Sequence, residues 1–324
     1  MSTKSGIAWT DATWSPVTGC TKVSAGCKNC YAEREVESRW SKNPKSVFYG
    51  QSFTDVRCHQ EKLEQPLHWK KPRKIFVCPR GDLFHPDVPD QFIADVFGIM
   101  AAASQHTFQV LTKRPERALK LLGAGCMGGF EPAVEECLAL YSDKDLVWPL
   151  PNVWLGVSVE DQEVADEQIP YLLQTPAAVR WISVEPLLGP VDLTAIMPEF
   201  PERFDALAGC LYCDEPHAAG GDEDMPRLDW VVAGGESGPK ARPMHPNWAR
   251  SLRDQCRAAG VPFFFKQWGE WAPWEQLLAT YRAITARSTE HVFPDGVKVE
   301  RFGNRLTGRV LDGYEWNQYP EVTA

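Results

Sequence analysis

Six short apolar runs recur along this 324-residue chain, each closing on polar residues, and this rhythm limits the fold more than any other feature. They are 74–78 (Lys-Ile-Phe-Val-Cys), 107–112, 153–158, 179–184, 228–233 and 262–266. Near-continuous hydrophobicity over so few residues marks strands buried on both faces. The gaps carry helical spacing at about 89–104, from Pro115 onward, at about 161–173 and at about 246–259. Buried strands alternating with helices predict an α/β fold with a parallel sheet covered on both faces. A (β/α) barrel, full or partial, is expected rather than an open doubly wound sheet, because no Gly-x-Gly-x-x-Gly follows an early strand.

The same rhythm predicts domain limits. The barrel is expected over 1–274, with loop insertions at about 123–150 and 196–227 and a small C-terminal appendage over 275–324. Pro294-Asp-Gly296 signals a hairpin in that appendage. The net charge of −9 supplies no global field to draw in nucleic acid, although Lys70–Lys74 and Lys113–Arg114 are local basic clusters. Thirteen tryptophans admit two readings, packing or stacking on a planar substrate or cofactor. The N-terminus lacks a signal-peptide core and no stretch approaches the ~20 apolar residues of a membrane span. Ten cysteines in such a chain predict a cytoplasmic protein, where close cysteine spacing means metal more often than disulfide.

The expected strands end in Arg80 and Asp82; in Thr112, Lys113 and Arg114; in Ser158 and Glu160; in Ser183 and Glu185; in Glu236 and Ser237; and in Lys266 and Gln267. A (β/α) barrel builds its active site at the C-terminal ends of its strands, so these residues are candidates to ring one mouth. Glu185, Glu236 and Lys266 are the candidates for chemistry. A carboxylate there binds a ribose diol or an ammonium, or acts as a base; the competing reading is an internal ion pair with Lys113, Arg114 or Lys266.

A further apolar, tryptophan-bearing run, 7–17, is expected as the first strand, and the loop after it carries Cys20, Cys27 and Cys30, with six residues in the first gap and two in the second. Asn29 is expected to cap a helix running to about Trp40. Three thiolates on one loop suit zinc, with a fourth ligand such as His59, or a [4Fe–4S] cluster with one iron open to chelate S-adenosylmethionine. A third reading makes the cysteines small buried residues. Cys210, Cys213 and His217 form a weaker candidate for a second metal site, zinc or an auxiliary cluster, that would draw on Cys126 or Cys137.

Residues 14–32, Trp-Ser-Pro-Val-Thr-Gly-Cys-Thr-Lys-Val-Ser-Ala-Gly-Cys-Lys-Asn-Cys-Tyr-Ala, resemble the signature of the phage- and prokaryote-associated three-Cys-motif proteins, grouped with the radical SAM superfamily. The resemblance continues through 152–160, 183–189, Gly234-Gly-Glu-Ser-Gly238 and Phe264-Phe-Lys-Gln-Trp-Gly269. The Cys-x-x-Cys-Tyr ending is also similar to the cluster loop of spore photoproduct lyase. The resemblance implies a TIM-like barrel of the radical SAM type, with Cys20, Cys27 and Cys30 on a [4Fe–4S] cluster. It implies Tyr31, Arg80, Asp82, Thr112, Lys113, Ser158, Glu160 and Glu185 as candidates to hold S-adenosylmethionine, which the enzyme would cleave to a 5′-deoxyadenosyl radical. A separate partner protein and a reductant such as flavodoxin or ferredoxin are implied with it. The substrate expected is a nucleic acid or nucleobase, with a peptide or the partner protein fitting nearly as well. The alternative from another class is a zinc-stabilised barrel acting as an adaptor for its partner.

Overall fold

The computed structural model describes residues 5–123, 130–197, 203–211, 226–276 and 289–321. The chain forms two compact units, one from residues 1–23, 30–157 and 171–180, the other from 24–29, 158–170 and 181–324. Seven strands form the main sheet: β1 (Ala12–Trp14), β2 (Lys74–Val77), β3 (Thr107–Thr112), β4 (Val153–Ser158), β5 (Val179–Val184), β6 (Trp230–Gly234) and β7 (Phe263–Gln267). Their hydrogen-bonded order is the order of the sequence, and the pairings within each unit are parallel. That is the strand plan of a partial (β/α) barrel. All six short apolar runs are strands of it, and β1 lies within the expected first strand at 7–17.

In the first unit the register sets Phe76 beside Gln109 and Gln109 beside Trp154. Gln109 is fully buried, and its Nε2 donates to the Trp9 carbonyl at 3.2 Å. Trp14 packs on Phe108, and Trp9 meets Phe76 edge-on at 4.7 Å. Helices α1 (Tyr31–Glu35), α2 (Asp90–Ala102), α3 (Pro115–Leu122) and α4 (Phe130–Ala139) are numbered in chain order. Pro115 opens α3, where its fixed φ fits and its missing N–H costs nothing. α4 lies in the expected first insertion, in which Cys126 falls outside the described residues.

In the second unit Trp181 on β5 and Trp230 on β6 face each other at 5.2 Å, and Phe263, Phe264 and Phe265 of β7 are buried. α5 (Gln162–Gln174) follows β4 in the chain, and α6 (Pro246–Ala259) follows β6. α6 begins where the His245 side chain accepts the Asn247 amide and ends at Gly260 in the left-handed region, the conformation glycine adopts without strain. Six tryptophans, at 9, 14, 154, 181, 230 and 268, are fully buried, so packing accounts for them.

The hairpin signalled at 294–296 forms between Thr289–Val292 and Lys298–Arg301, with Trp271–Ala272 as a third strand. Further on, Asn317 bridges Phe264 in antiparallel fashion, the Trp316 carbonyl accepts the Phe265 amide, and Gln318 Oε1 accepts the Phe263 amide. The tail thereby satisfies the free side of β7, which would otherwise offer unpaired amides. Among the described residues no helix is long and apolar enough to cross a membrane.

Candidate functional site

The cysteine loop leaves β1 through Val17–Thr18, which pairs with Arg57–Cys58. Cys27 closes a single 3-10 turn, Ala25–Cys27, and Cys30 stands at the start of α1. Asn29 does not cap α1 as the sequence predicted: its side chain donates instead to Glu236 Oε2 at 3.0 Å and to the Lys240 carbonyl at 2.8 Å. A hydrogen bond donated to a carboxylate is charge-assisted, and it holds the Asn29 side chain on Glu236 rather than at the start of α1.

In the first unit the strand-end residues gather around Asp82. It is buried, and it accepts from Thr112 Oγ1 at 2.8 Å, from the backbone amides of Lys113 and Phe84 at 3.2 and 3.0 Å, and from Arg114 Nη1 at 2.8 Å. Arg114 also reaches Cys20 Sγ at 3.5 Å, the Thr21 carbonyl at 3.1 Å and Thr21 Oγ1 at 3.0 Å. Burial pulls the Arg114 guanidinium down, but Asp82 and Cys20 outweigh it and hold its pKa above the ordinary value. Thr21 Oγ1 also meets His85 Nε2 at 2.8 Å, and burial, with Arg114 next, pushes that imidazole below its usual range.

Arg80 lies in the same unit, with Nε and Nη2 on Glu35 Oε2 at 3.1 and 2.9 Å and its guanidinium 5.3 Å from the centre of the Trp40 ring. Tyr31 donates its hydroxyl to the Pro79 carbonyl at 2.5 Å. His59, weighed as a fourth zinc ligand, has partners at both ring nitrogens: Thr18 Oγ1 at 2.7 Å and Glu61 Oε1 at 3.2 Å.

In the second unit two strand-end glutamates grip the segment that carries Cys27. Glu160, fully buried beyond β4, accepts the Gly26 amide at 2.8 Å and the Ser24 hydroxyl. Glu236, just beyond β6, takes Arg242 on both oxygens, Nη2 on Oε1 at 2.7 Å and Nε on Oε2 at 3.0 Å. Its Oε2 also accepts the Arg242 amide at 2.7 Å, and Arg242 Nη1 donates to the Ala25 carbonyl at 3.0 Å. Burial alone would raise the Glu236 carboxyl, yet the bonds from Arg242 and Asn29 hold it below the usual range. Glu236 is therefore a fixed anion that anchors a loop.

Ser158 is buried in this unit, at the end of β4. Glu185 follows the second reading given for it. Lys266 Nζ lies 3.0 Å from Oε1, an ion-pair distance without an aligned hydrogen bond, while Ser183 Oγ donates to Oε2 at 3.0 Å. A β-carbon on Gly234 would come within 2.8 Å of Glu185 Oε1, so that glycine leaves room for this pair, while one on Gly235 would strike the Trp268 carbonyl.

The three loop cysteines are in no disulfide and are half-buried. In kind they fit a cluster or zinc: three soft donors on one loop, the first bonded to a guanidinium and Cys27 Sγ 3.7 Å from the Ser24 hydroxyl. Among the described residues no three His, Cys, Asp or Glu side chains are already gathered as a metal site. Of the weaker second site, Cys210 is half-buried and in no disulfide on the short strand Cys210–Leu211, while Cys213 and His217 lie outside the described residues.

Sequence reasoning singled out the carboxylates but not the arginines that hold them. The sequence marks Arg114 as a strand-end residue and a possible ion-pair partner, and it does not mark Arg242. Its signal was available: a cation six residues past a glutamate that closes a buried run.

Over residues 4–320 the chain matches the family described as "Protein of unknown function (DUF5131)". The chain belongs to that family. No curated protein and no solved structure matches it.

Proposed function

We propose that this member of the family is a radical S-adenosylmethionine enzyme on a partial (β/α) barrel of the radical SAM type, with Cys20, Cys27 and Cys30 as ligands of a [4Fe–4S] cluster. One observation carries the reading: three cysteines outside any disulfide occupy a single loop of 11 residues after β1, and buried strand-end charges brace that loop within each unit. A structural zinc knuckle needs four closed ligands, whereas three leave a position open for a second molecule. When bound, such a cluster supplies reductive cleavage of S-adenosylmethionine to a 5′-deoxyadenosyl radical.

The chain's own residues have separate tasks in this reading. Glu160 and the Glu236–Arg242 pair hold the Cys27 segment; Asp82, Thr112 and Arg114 hold the segment at Cys20. Lys266 and Glu185, paired through a single ion contact, are the strand-end charges with least commitment and remain the candidates to meet a ligand ammonium or carboxylate. A nucleic acid or nucleobase substrate is supported by exposed Lys70 and Lys71 beside Arg73, which stacks on Trp69 at 5.1 Å. A reductant protein and a separate partner complete the system.

Anaerobic purification tests the proposal. Brown protein with about four irons and four sulfides per chain is expected, and colourless protein with one zinc that resists anaerobic reconstitution would favour the adaptor and overturn the cluster. The Cys27→Ala variant should stay folded and lose formation of 5′-deoxyadenosine from S-adenosylmethionine under reducing conditions; retained cleavage would refute the ligand assignment.

A further inference from the structure

We infer that Arg114 is a positioning residue that sets the reduction potential of the metal centre through the sulfur of Cys20. The inference rests on the cluster reading above and adds an electronic role to the positional one that Arg114 has there. Arg114 follows β3 directly, and its side chain is only 10% exposed. A guanidinium is a planar fork with five donors in fixed directions, so contacts at several of them determine where the rest point. Here Nη2 is held by the Thr21 carbonyl and Thr21 Oγ1, and Nη1 by Asp82 Oδ2, which leaves Nη1 also on Cys20 Sγ at 3.5 Å.

Asp82 is in turn fixed by Thr112 Oγ1 and by the amides of Lys113 and Phe84. The sulfur contact is thus the end of a buried relay, Thr112 to Asp82 to Arg114 to Cys20, and not a chance approach of a long surface side chain. Asp82 also balances the buried cation, which makes burial of the pair tolerable.

A hydrogen bond donated to a ligating thiolate draws electron density from the sulfur and weakens its donation to the metal. The more electron-rich, reduced state of a cluster gains most from that bond, so the potential rises. Arg114 does this with a full positive charge as well as an N–H. Thr21, which Arg114 also binds, adjoins Cys20 in the chain, so the same side chain fixes both the sulfur and its backbone.

The test compares wild type with Arg114→Gln and Arg114→Lys after anaerobic reconstitution, reading iron and sulfide per chain, melting temperature, and midpoint potential by spectroscopic redox titration. Lysine keeps the charge beside Asp82 but lacks the fork; glutamine lacks the charge. Both variants should load iron as wild type does and show a more negative midpoint potential, further displaced for Arg114→Gln. A merely structural role would lower the melting temperature and leave the potential where it was, which overturns the inference. If Arg114→Gln does not fold, Arg114→Lys carries the comparison. Wild-type protein that takes up no cluster sinks the cluster reading itself, whereas a loaded wild type with unshifted variants sinks only the role of Arg114.

Discussion

Gly26 rests its backbone amide on the carboxylate of Glu160, so closely that a β-carbon at position 26 would overlap Glu160 Oε1. The glycine is there for space. Its φ is unexceptional, and what an alanine would lose is the approach of loop to carboxylate. The Gly26→Ala variant is expected to displace Glu160 and forfeit one hydrogen bond to a buried charge, a cost of about 1–3 kcal/mol. Denaturant unfolding should show that loss, and iron uptake on reconstitution should fall with it. An unchanged midpoint together with unchanged uptake would mean the Cys27 segment does not depend on this contact.

Glu236 gives the second prediction a pH signature. Its folded pKa lies below the ordinary glutamate value of 4.5, so the folded state binds that proton less readily than the unfolded chain. The resulting stability is fully present above that value and is lost as pH falls through the depressed one. The Glu236→Gln variant should therefore lose stability near neutral pH and show a shallower decline on acidification than wild type. Arg242→Ala, which strands a buried carboxylate, should cost about 2 kcal/mol near neutral pH. Melting temperatures from neutral pH down to below 4.5 would check both.

How much of this was legible beforehand follows from what sets each feature. The strands from Lys74 to Gln267 were readable because burial on both faces demands unbroken hydrophobicity, a local property of the chain. The partners of Glu160, Glu185 and Glu236 were not. A carboxylate after a buried strand reads the same whether it waits for a ligand or holds a loop 134 residues away, as Glu160 holds Gly26. Asn29 shows the same limit from the other side: its position is ideal for a helix cap, but a buried carboxylate 207 residues away competes for its amide. Only at Glu185 does the observed partner, Lys266, stand among those the sequence offered, Lys113, Arg114 or Lys266, each a cation at the end of an expected strand.

Thiol chemistry separates the loop cysteines from those that only fill space. Burial drives the Cys78 thiol far up, the Cys137 thiol to about 11 and the Cys256 thiol to about 12, and all three are buried. The thiolate is the reactive form, so these three should resist alkylation in native protein near neutral pH. Cys20, Cys27 and Cys30 are half-exposed and Cys58 is exposed, and they should be modified first. Mass spectrometry of briefly alkylated, metal-free protein would read the order. Reconstitution should then protect the three loop thiols and leave Cys58 reactive; protection of Cys58 instead would point to a different ligand set.

Trp230 joins the core of the second unit to the tail that covers β7. Its ring is fully buried against Trp181 and stacks near Tyr319 at 5.3 Å, while its Nε1 donates to the Gln318 carbonyl at 2.9 Å. Removing the ring leaves a large cavity and frees the tail at one stroke, so Trp230→Ala should cost about 3–5 kcal/mol. Trp230→Phe keeps most of the apolar surface but not the donor, and the unbonded Gln318 carbonyl puts its cost at about 1 kcal/mol. The informative readout is hydrogen exchange at the Phe265 amide, which donates to the Trp316 carbonyl. In Trp230→Phe that amide should exchange faster while the amides β6 shares with β5 stay protected. Equal protection in variant and wild type would mean the tail is held on β7 by its own backbone bonds and owes nothing to the indole.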